Sequence, residues 1–275
     1  MSQADTPFAT LHGATARYDG AVALDAVDLS LPEGRVVAFC GPNGSGKSTA
    51  LRVLRALHAP DAGTVEVAGK PVSAWRPRDL AREIAMLSQS PSAPDDMSVR
   101  DLALLGRYAH RGRFAPVRAT DRAAVARALE ATNMTELAGR SLGQLSGGQV
   151  QRAWIAMVLA QDAPRIFLDE PTNHLDIAHA LDILDLITSL NQEAGRGFVI
   201  VLHDLNHAMR YADHVVLFDR GRIACTGPTQ EVLTEERIRE VFDIDCRIVA
   251  LPGIERPVVV PLSRGTETGL ATAAQ

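Results

Sequence analysis

The sequence predicts an α/β fold with a mostly parallel core sheet, an N-terminal antiparallel β subdomain and an inserted α-helical subdomain. Apolar runs rich in β-branched residues, bounded by turn residues, are typical of strands buried on both faces of a sheet; they recur at 36–40, 84–87, 165–169, 198–203 and 214–218. Helix-like stretches lie between them, at 47–58, 146–161, 178–194 and 205–212. This alternation favours parallel strands joined by crossover helices.

Two regions depart from that alternation. The segments 8–18, 21–31 and 63–72 resemble short strands with turns and favour an antiparallel sheet. Residues 98–160 lack strand signals, are rich in Ala and Leu, and begin with the capping-box pattern "SVRD", so they predict a helical insert. We therefore expect one composite domain over 7–263, with the helical insert at about 90–160, and a flexible tail over 264–275.

Composition excludes several classes of protein. The 275 residues are 46% apolar and 22% charged, as in an ordinary folded protein. The net charge of −5, without a dense Lys/Arg block, argues against nucleic acid as a partner. Cys40, Cys225 and Cys246 are too far apart for a metal motif or a disulfide framework, which favours a reducing cytosolic setting. The N-terminus lacks a signal pattern, and the longest apolar run, 153–160, is too short to span a bilayer.

The segment "GPNGSGKST" at 41–49 satisfies the pattern G-x-x-x-x-G-K-[ST], and we call it the phosphate loop. It follows an apolar strand and opens a helix, which is the context that the motif requires. Its glycines let backbone N–H groups turn toward phosphate oxygens. We expect Lys47 to reach the β- and γ-phosphates, Ser48 to bind Mg²⁺ and Thr49 to bond the α-phosphate. The predicted nucleotide contacts are Gly41, Pro42, Asn43, Gly44, Ser45, Gly46, Lys47, Ser48 and Thr49.

Two adjacent carboxylates stand at the end of the apolar run "RIFLD". Asp169 is expected to hold Mg²⁺ through water, and Glu170 to orient or deprotonate an attacking water. The alternative for Glu170 is a cap on the following turn. His203 ends the next apolar run, so it should emerge at the same sheet edge, where ligands of open α/β sheets bind.

A second glycine pair raises a question that the phosphate loop does not answer. "LSGGQ" at 145–149, which we call the signature motif, opens a mostly apolar helix. Exposed backbone N–H groups beside a positive helix-dipole end form an anion site. The chain therefore contains one complete phosphate cradle and one incomplete one.

With these motifs in this order, the sequence resembles the ATP-binding-cassette (ABC) ATPases over nearly its whole length. "LSGGQ" is that family's signature motif without a mismatch. Gln89 matches the family's Q-loop glutamine, Asp176 in "NHLD" its D-loop and His203 its switch histidine. Tyr18 stands where the family keeps an aromatic residue that stacks on adenine. The resemblance implies ATP and Mg²⁺ as cofactors.

The resemblance also implies roles for these residues. Lys47, Gln89, Glu170 and His203 would serve catalysis, and Ser48, Gln89 and Asp169 would hold Mg²⁺. In the family, two such domains close head to tail on ATP, so each signature motif faces the partner's phosphate loop. The groups acting in trans, on a second copy of the chain, would be Ser146, Gly147, Gly148, Gln149 and Asp176.

Stretches outside the nucleotide motifs resemble the ATPases of ferric-siderophore (ferric-enterobactin-type) importers, notably "LLGRYAHRGRF" at 104–114 and "PVVVPLSR" at 257–264. That likeness implies a peripheral subunit on the cytoplasmic face of the inner membrane. Its partners would be integral membrane permease subunits and, indirectly, a substrate-binding protein. Haem and cobalamin importers share much of the pattern. Two other classes would also contain a phosphate loop: a soluble ABC ATPase that has no permease, and a P-loop kinase. We interpret His174 and His179 as solvated loop histidines, not as metal ligands.

Overall fold

The computed structural model describes residues 7–112, 115–173 and 175–262. His174 and the tail predicted over 264–275 lie outside these ranges. The described strands are β1 (Pro7–Tyr18), β2 (Ala21–Pro32), β3 (Val36–Cys40), β4 (Ala62–Val67), β5 (Lys70–Pro71), β6 (Ile84–Leu87), β7 (Arg165–Leu168), β8 (Gly197–Val201), β9 (His214–Asp219), β10 (Arg222–Pro228), β11 (Cys246–Val249) and β12 (Val258–Pro261). The α-helices are α1 (Lys47–Leu54), α2 (Pro77–Glu83), α3 (Val99–Leu105), α4 (Ala119–Ala131), α5 (Gly147–Ala160), α6 (Ile177–Ala194), α7 (Leu205–Tyr211), α8 (Thr229–Val232) and α9 (Glu235–Phe242).

The core is a six-stranded sheet in the order β10-β9-β3-β8-β7-β6. Neighbouring strands from β9 to β6 pair in parallel, and β10 adds an antiparallel edge. The predicted mostly parallel core sheet is confirmed. Because β3 lies between β8 and β9, with β7 next to β8, the loops that follow β3, β8 and β7 emerge side by side.

The N-terminal antiparallel β subdomain is also confirmed. Its four strands lie in the order β2-β1-β4-β5, and every neighbouring pair is antiparallel. Its apolar face meets the core sheet in one cluster that includes Phe8, Leu11, Phe39 and Phe167. Alternate residues of β3 serve the two faces of the sheet: Val37 and Phe39 point into this cluster, and Val36, Ala38 and Cys40 point into the cluster packed by the helices. A strand buried on both faces explains the unbroken apolar run.

The insert between β6 and β7 contains the packed helices α3, α4 and α5. The Ser98 hydroxyl accepts the Asp101 N–H at 3.1 Å and starts α3, as the capping pattern predicts. Inside the insert, the buried Arg107 guanidinium bonds Asp121 at 3.1 Å and the carbonyl of Ala160 at 2.9 Å. These bonds attach the segment after α3 to the start of α4 and the end of α5.

Two predicted helix or strand boundaries are wrong by two residues or more, and the others differ by at most about one residue. The helix expected to run to residue 58 ends at Leu54, because Ala56 adopts a left-handed backbone conformation with φ 56°. The strand expected to end at His203 ends at Val201, so His203 lies in the loop that leads into α7. Among the described residues, no helix is both long and apolar enough to cross a bilayer.

Candidate functional site

Loops at the carboxyl ends of the parallel strands surround a cleft of about 610 Å³. The phosphate loop follows β3, Glu170 follows β7, Gln89 follows β6 and His203 follows β8. The residues lining the cleft are Ala23, Asn43, Gly44, Ser45, Gly46, Lys47, Ser48, Thr49, Gln89, Glu170, Asn173 and His203. Most of the predicted site residues therefore meet in one place.

The backbone of the phosphate loop requires glycine at two positions where the chain approaches other backbone closely. Gly41 has φ 145°, and a Cβ there would lie 2.2 Å from the carbonyl oxygen of Phe218. Gly46 has φ 106°, and its Cβ would lie 2.6 Å from the carbonyl oxygen of Ala23. The loop is also bonded to the β9–β10 turn, because the Gly221 N–H donates to Ser45 O at 3.0 Å. Its shape is fixed by neighbouring elements as well as by its own residues.

Lys47 lies at the base of the cleft. Its Nζ donates to the carbonyl oxygens of Gly41 and Pro42, both at 2.8 Å. Burial lowers the pKa of Lys47, while the nearby carboxylates of Glu170 and Asp169 act in the opposite direction. A phosphate beside this amine would favour its charged form and replace carbonyl partners with anionic ones.

Asp169 has the chemistry of a cation ligand. Its side chain accepts the Ser48 hydroxyl at 2.7 Å, and the residue is 1% exposed. The second oxygen, Oδ2, is buried with no hydrogen-bond partner in the part of the chain that the structure describes. Burial raises the pKa of Asp169, although the Ser48 hydroxyl partly offsets that effect. An unpartnered buried carboxylate oxygen beside a hydroxyl fits Mg²⁺, which typically takes one or two protein oxygens and completes its shell with water and phosphate.

Glu170 is held on both oxygens. His203 Nε2 lies 2.6 Å from Oε1, and Gln89 Nε2 donates to Oε2 at 2.6 Å. Asn173 also donates to Oε2. The Glu170 backbone is left-handed, with φ 55°, a strained conformation that is typical of functional sites. The sequence analysis did not identify Asn173. This residue stands three positions after Glu170, and its N–H closes a turn on the Glu170 carbonyl. That spacing could have identified it.

Four of the residues predicted to act on nucleotide or Mg²⁺ within one chain do not line the cleft: Tyr18, Gly41, Pro42 and Asp169. Tyr18 ends β1, is 37% exposed, and stacks on His58 with ring centroids 4.4 Å apart at 28°. Pro42 contributes its carbonyl to Lys47 rather than a surface to the cleft.

The signature motif forms a separate surface. Ser146 caps α5, its hydroxyl accepting the Gln149 N–H at 3.4 Å, and the Gln149 side chain accepts the Ser146 N–H at 3.0 Å. Asp176 caps α6 by accepting the His179 N–H at 2.9 Å. Neither motif lines the cleft that contains Lys47. Ser146 and Gly147 are exposed. Within the described chain, the second anion site thus stands apart from the first.

The interpretation of His179 as a loop residue is wrong, because it lies in the first turn of α6. No group of three or more His, Cys, Asp and Glu residues in the described ranges could hold a metal. Mg²⁺ at Ser48 and Asp169 is compatible with this finding, since it needs fewer protein ligands.

The fold and the cleft define a P-loop nucleoside triphosphatase of the cassette type. Comparisons with known proteins agree: the family model described as "ABC transporter" matches residues 24–173. The ferric enterobactin transport ATP-binding protein FepC of Escherichia coli (strain K12) is 44% identical over 86% of this chain and 87% of its own. The iron(3+)-hydroxamate import ATP-binding protein FhuC of Bacillus subtilis (strain 168) is 40% identical over 88% of this chain and 90% of its own. The chain therefore belongs to the ABC transporter family.

Within that family it is an ATP-binding, ATP-hydrolysing subunit of importer type. Solved structures agree with this assignment. A metal-chelate type ABC transporter in an inward-facing conformation has a TM-score of 0.82 and 29% identity, over 94% of this chain and 98% of that one. A dimeric ATP-binding cassette bound to ADP and phosphate has a TM-score of 0.71 and 28% identity, over 80% of this chain and 98% of that one.

Proposed function

We propose that this chain drives the uptake of a ferric siderophore by binding and hydrolysing ATP. The names of its relatives support this cargo: FepC is named for ferric enterobactin and FhuC for iron(3+)-hydroxamate. A cobalamin import ATP-binding protein of Halobacterium salinarum is 38% identical, over only 62% of its own length. The cargo itself would meet permease and binding-protein subunits rather than this chain.

In this proposal the cleft binds the triphosphate of ATP. Backbone N–H groups of the phosphate loop and the Lys47 ammonium neutralise phosphate charge. Ser48 and Asp169 would hold Mg²⁺, with Gln89 as a further ligand, and the ion would supply positive charge that neutralises the phosphates. Glu170 accepts a proton from the attacking water, and His203 and Gln89 hold its carboxylate near the γ-phosphate.

A second copy of the chain completes the site. The observation that supports this most directly is the separation of the signature motif from the cleft. Ser146 and Gly147 expose a helix start suited to an anion, yet they do not line the cleft in which Lys47 of the same chain would bind phosphate. Two copies in head-to-tail arrangement would each supply Ser146, Gly147, Gly148, Gln149 and Asp176 to the other's nucleotide. ATP would hold the dimer closed and hydrolysis would release it.

The dimer is tested with Ser146→Arg in a Glu170→Gln background. The glutamine variant should bind ATP without turnover and form an ATP-dependent dimer, measured by light scattering on a sizing column. Ser146→Arg should leave monomer ATP affinity within about twofold and reduce the dimer at least tenfold, about 1.4 kcal/mol. An ATP-induced dimer of unchanged stability would contradict the head-to-tail arrangement.

The permease and the cargo need a test in cells. The chain should lie on the cytoplasmic face of the inner membrane and should co-purify with a polytopic membrane protein. Deleting its gene should abolish uptake of a radiolabelled ferric siderophore and spare uptake of haem and cobalamin. Loss of haem or cobalamin uptake instead would reassign the cargo. Isolation with ribosomes or DNA, and never with a permease, would support a soluble ABC ATPase.

A further inference from the structure

The two glycines of the signature motif differ in what surrounds them. A Cβ built on Gly147 meets no atom of the described chain within 4 Å. A Cβ built on Gly148 would lie 2.5 Å from Cδ2 and 2.9 Å from Cγ of His179. Gly148 is also buried, whereas Gly147 is exposed. Within a single copy of the chain, only Gly148 is required to be small, and the group that requires it is the His179 ring.

The His179 ring is fixed on its other edge by Asp176. Nδ1 of His179 lies 2.8 Å from both carboxylate oxygens of Asp176, and the His179 N–H donates to Oδ1 at 2.9 Å. The ring therefore stands between the Asp176 carboxylate and the Gly148 backbone. A Cβ on Gly148 would therefore have to push the ring toward the Asp176 carboxylate, which Nδ1 already approaches to 2.8 Å.

Other contacts join α5 to α6 and to the loop that precedes α6. Arg152 on α5 forms an ion pair with Asp182 on α6. Gln151 Nε2 donates to the carbonyl oxygen of Pro171 at 2.9 Å, beside Glu170. The first turns of α5 are thus attached to α6 at two points and to the loop before α6 at a third, and His179 is the one nearest to the signature glycines and Asp176.

We propose that His179 is a positioning residue that holds the signature glycines and Asp176 in one fixed arrangement, so that both reach the nucleotide of a second copy together. The inference rests on the proposed head-to-tail dimer. Imidazole suits this position because one nitrogen donates to the carboxylate while the opposite edge of the flat ring packs on a glycine. Asp176 is 65% exposed and His179 42%, so the bond between them contributes little stability by itself. Its effect is on geometry.

The proposal is tested by enlarging Gly148 to alanine and then removing the His179 ring that the new Cβ would meet. All variants are made in the Glu170→Gln full-length chain: Gly148→Ala, His179→Ala, the double variant, and Gly147→Ala with and without His179→Ala as the matched control. Monomer binding is measured with a fluorescent ATP analogue, and dimerisation with light scattering at saturating ATP.

We expect every variant to keep the monomer ATP affinity of the Glu170→Gln chain within about twofold, because Gly147, Gly148 and His179 do not line the cleft. Gly148→Ala should weaken the dimer at least tenfold, and the double variant should recover to the level of His179→Ala alone. Adding His179→Ala should not improve the dimerisation of Gly147→Ala. His179→Asn, which still has a donor for Asp176, should dimerise better than His179→Ala. A double variant as defective as Gly148→Ala would overturn the proposal.

A thermal-unfolding measurement separates this proposal from the dimer itself. If the Glu170→Gln chain forms no ATP-dependent dimer, the proposed function fails, but the ring contact is still measurable in the monomer. Gly148→Ala should then lower Tm by about 3 °C or more, and His179→Ala in the same chain should remove that effect. Additive Tm shifts in the two single variants and the double variant would show that His179 does not constrain Gly148.

Discussion

His203 Nε2 lies 2.6 Å from Glu170 Oε1, and Gln89 approaches the other oxygen of the same carboxylate at 2.6 Å. The partners come from the loops after β8 and β6, on either side of the strand that leads to Glu170. In this arrangement both oxygens are occupied by side chains. Oε2 also accepts from Asn173, whereas Oε1 has His203 as its one partner among the described residues. A carboxylate oxygen has two lone pairs, so Oε1 can still accept a proton from a water molecule without losing His203.

Glu170→Gln should reduce ATP turnover at least about 100-fold, the usual contribution of a general base, because an amide cannot accept the proton. ATP affinity should change little, since the phosphate loop is intact. Single-turnover phosphate release and equilibrium nucleotide binding measure the two effects. Asn173→Ala removes one donor to Glu170 without removing the base and is the control; it should cost far less turnover. Normal hydrolysis by Glu170→Gln would remove Glu170 from its assigned role.

ATP with Mg²⁺ should raise the Tm of the chain more than ATP alone does, and Asp169→Asn should abolish this difference. The amide keeps an acceptor for Ser48 but loses the negative charge that would hold the cation. Differential scanning fluorimetry with ATP, with and without Mg²⁺, measures the difference. Mg²⁺-dependent stabilisation equal to that of the unaltered chain would show that the ion is held elsewhere.

The same residue predicts a pH dependence. Burial raises the pKa of Asp169 above its ordinary value of 3.8. Between the ordinary and the raised pKa the folded chain binds more protons than the unfolded chain, so this group's contribution to stability falls as pH rises through that window. Above the folded-state pKa the loss is complete. Tm of Asp169→Asn relative to the unaltered chain, without nucleotide, should therefore increase as pH rises through the window; parallel profiles would contradict the shift.

Gly46→Ala should destabilise the nucleotide-free chain more than Gly44→Ala does. Both glycines have positive φ, so alanine costs about 1–2 kcal/mol at either position. Only at Gly46 would the new Cβ also meet backbone, at 2.6 Å from Ala23 O, whereas at Gly44 it meets no described atom within 4 Å. Denaturant unfolding without ligand measures the pair. Equal losses would mean that the close approach at Gly46 is relieved cheaply.

Tyr18→Ala should weaken ATP binding about 3- to 10-fold if its ring stacks on adenine, since an aromatic pair is worth about 0.5–1.5 kcal/mol. Tyr18→Phe should bind as before. Tripolyphosphate lacks a base, so its affinity should not respond to either change. Equal ATP affinity in all three chains would leave Tyr18 with only its stack on His58.

Much of the fold could be predicted from residues whose surroundings are set by their neighbours in sequence. The predicted bounds of Val36–Cys40 and Ile84–Leu87 match the observed ones, because a strand buried on both faces is apolar throughout and ends at turn residues. The phosphate loop follows a pattern whose glycines and lysine each have a chemical reason. Asp169 and Glu170 could be identified in the same way, since adjacent carboxylates after a buried strand are unusual.

The features that escaped prediction depend on contacts distant in sequence. Asn173 is an ordinary turn residue until the Glu170 carboxylate is beside it. The hairpin of β11 and β12 has strands of only four residues each, too short for a clear periodic pattern. It is attached to α7 by Asn206, whose side chain exchanges two hydrogen bonds with the Val259 backbone, at 2.7 and 3.1 Å. His179 resembles a solvated histidine in the sequence because nothing there places Gly148 against it.

The phosphate loop is shaped by the elements around it, so the motif alone would not keep its conformation outside this fold. Gly221 bridges two partners: its N–H donates to Ser45 O, and its carbonyl accepts the Asp25 N–H at 2.8 Å. Gly46 leaves room for Ala23, and Gly41 for Phe218. A peptide spanning 36–55 would contain the whole motif and still lack the surfaces that shape it. The nine-residue pattern of the phosphate loop therefore forms the binding site only where both sheets have folded around it.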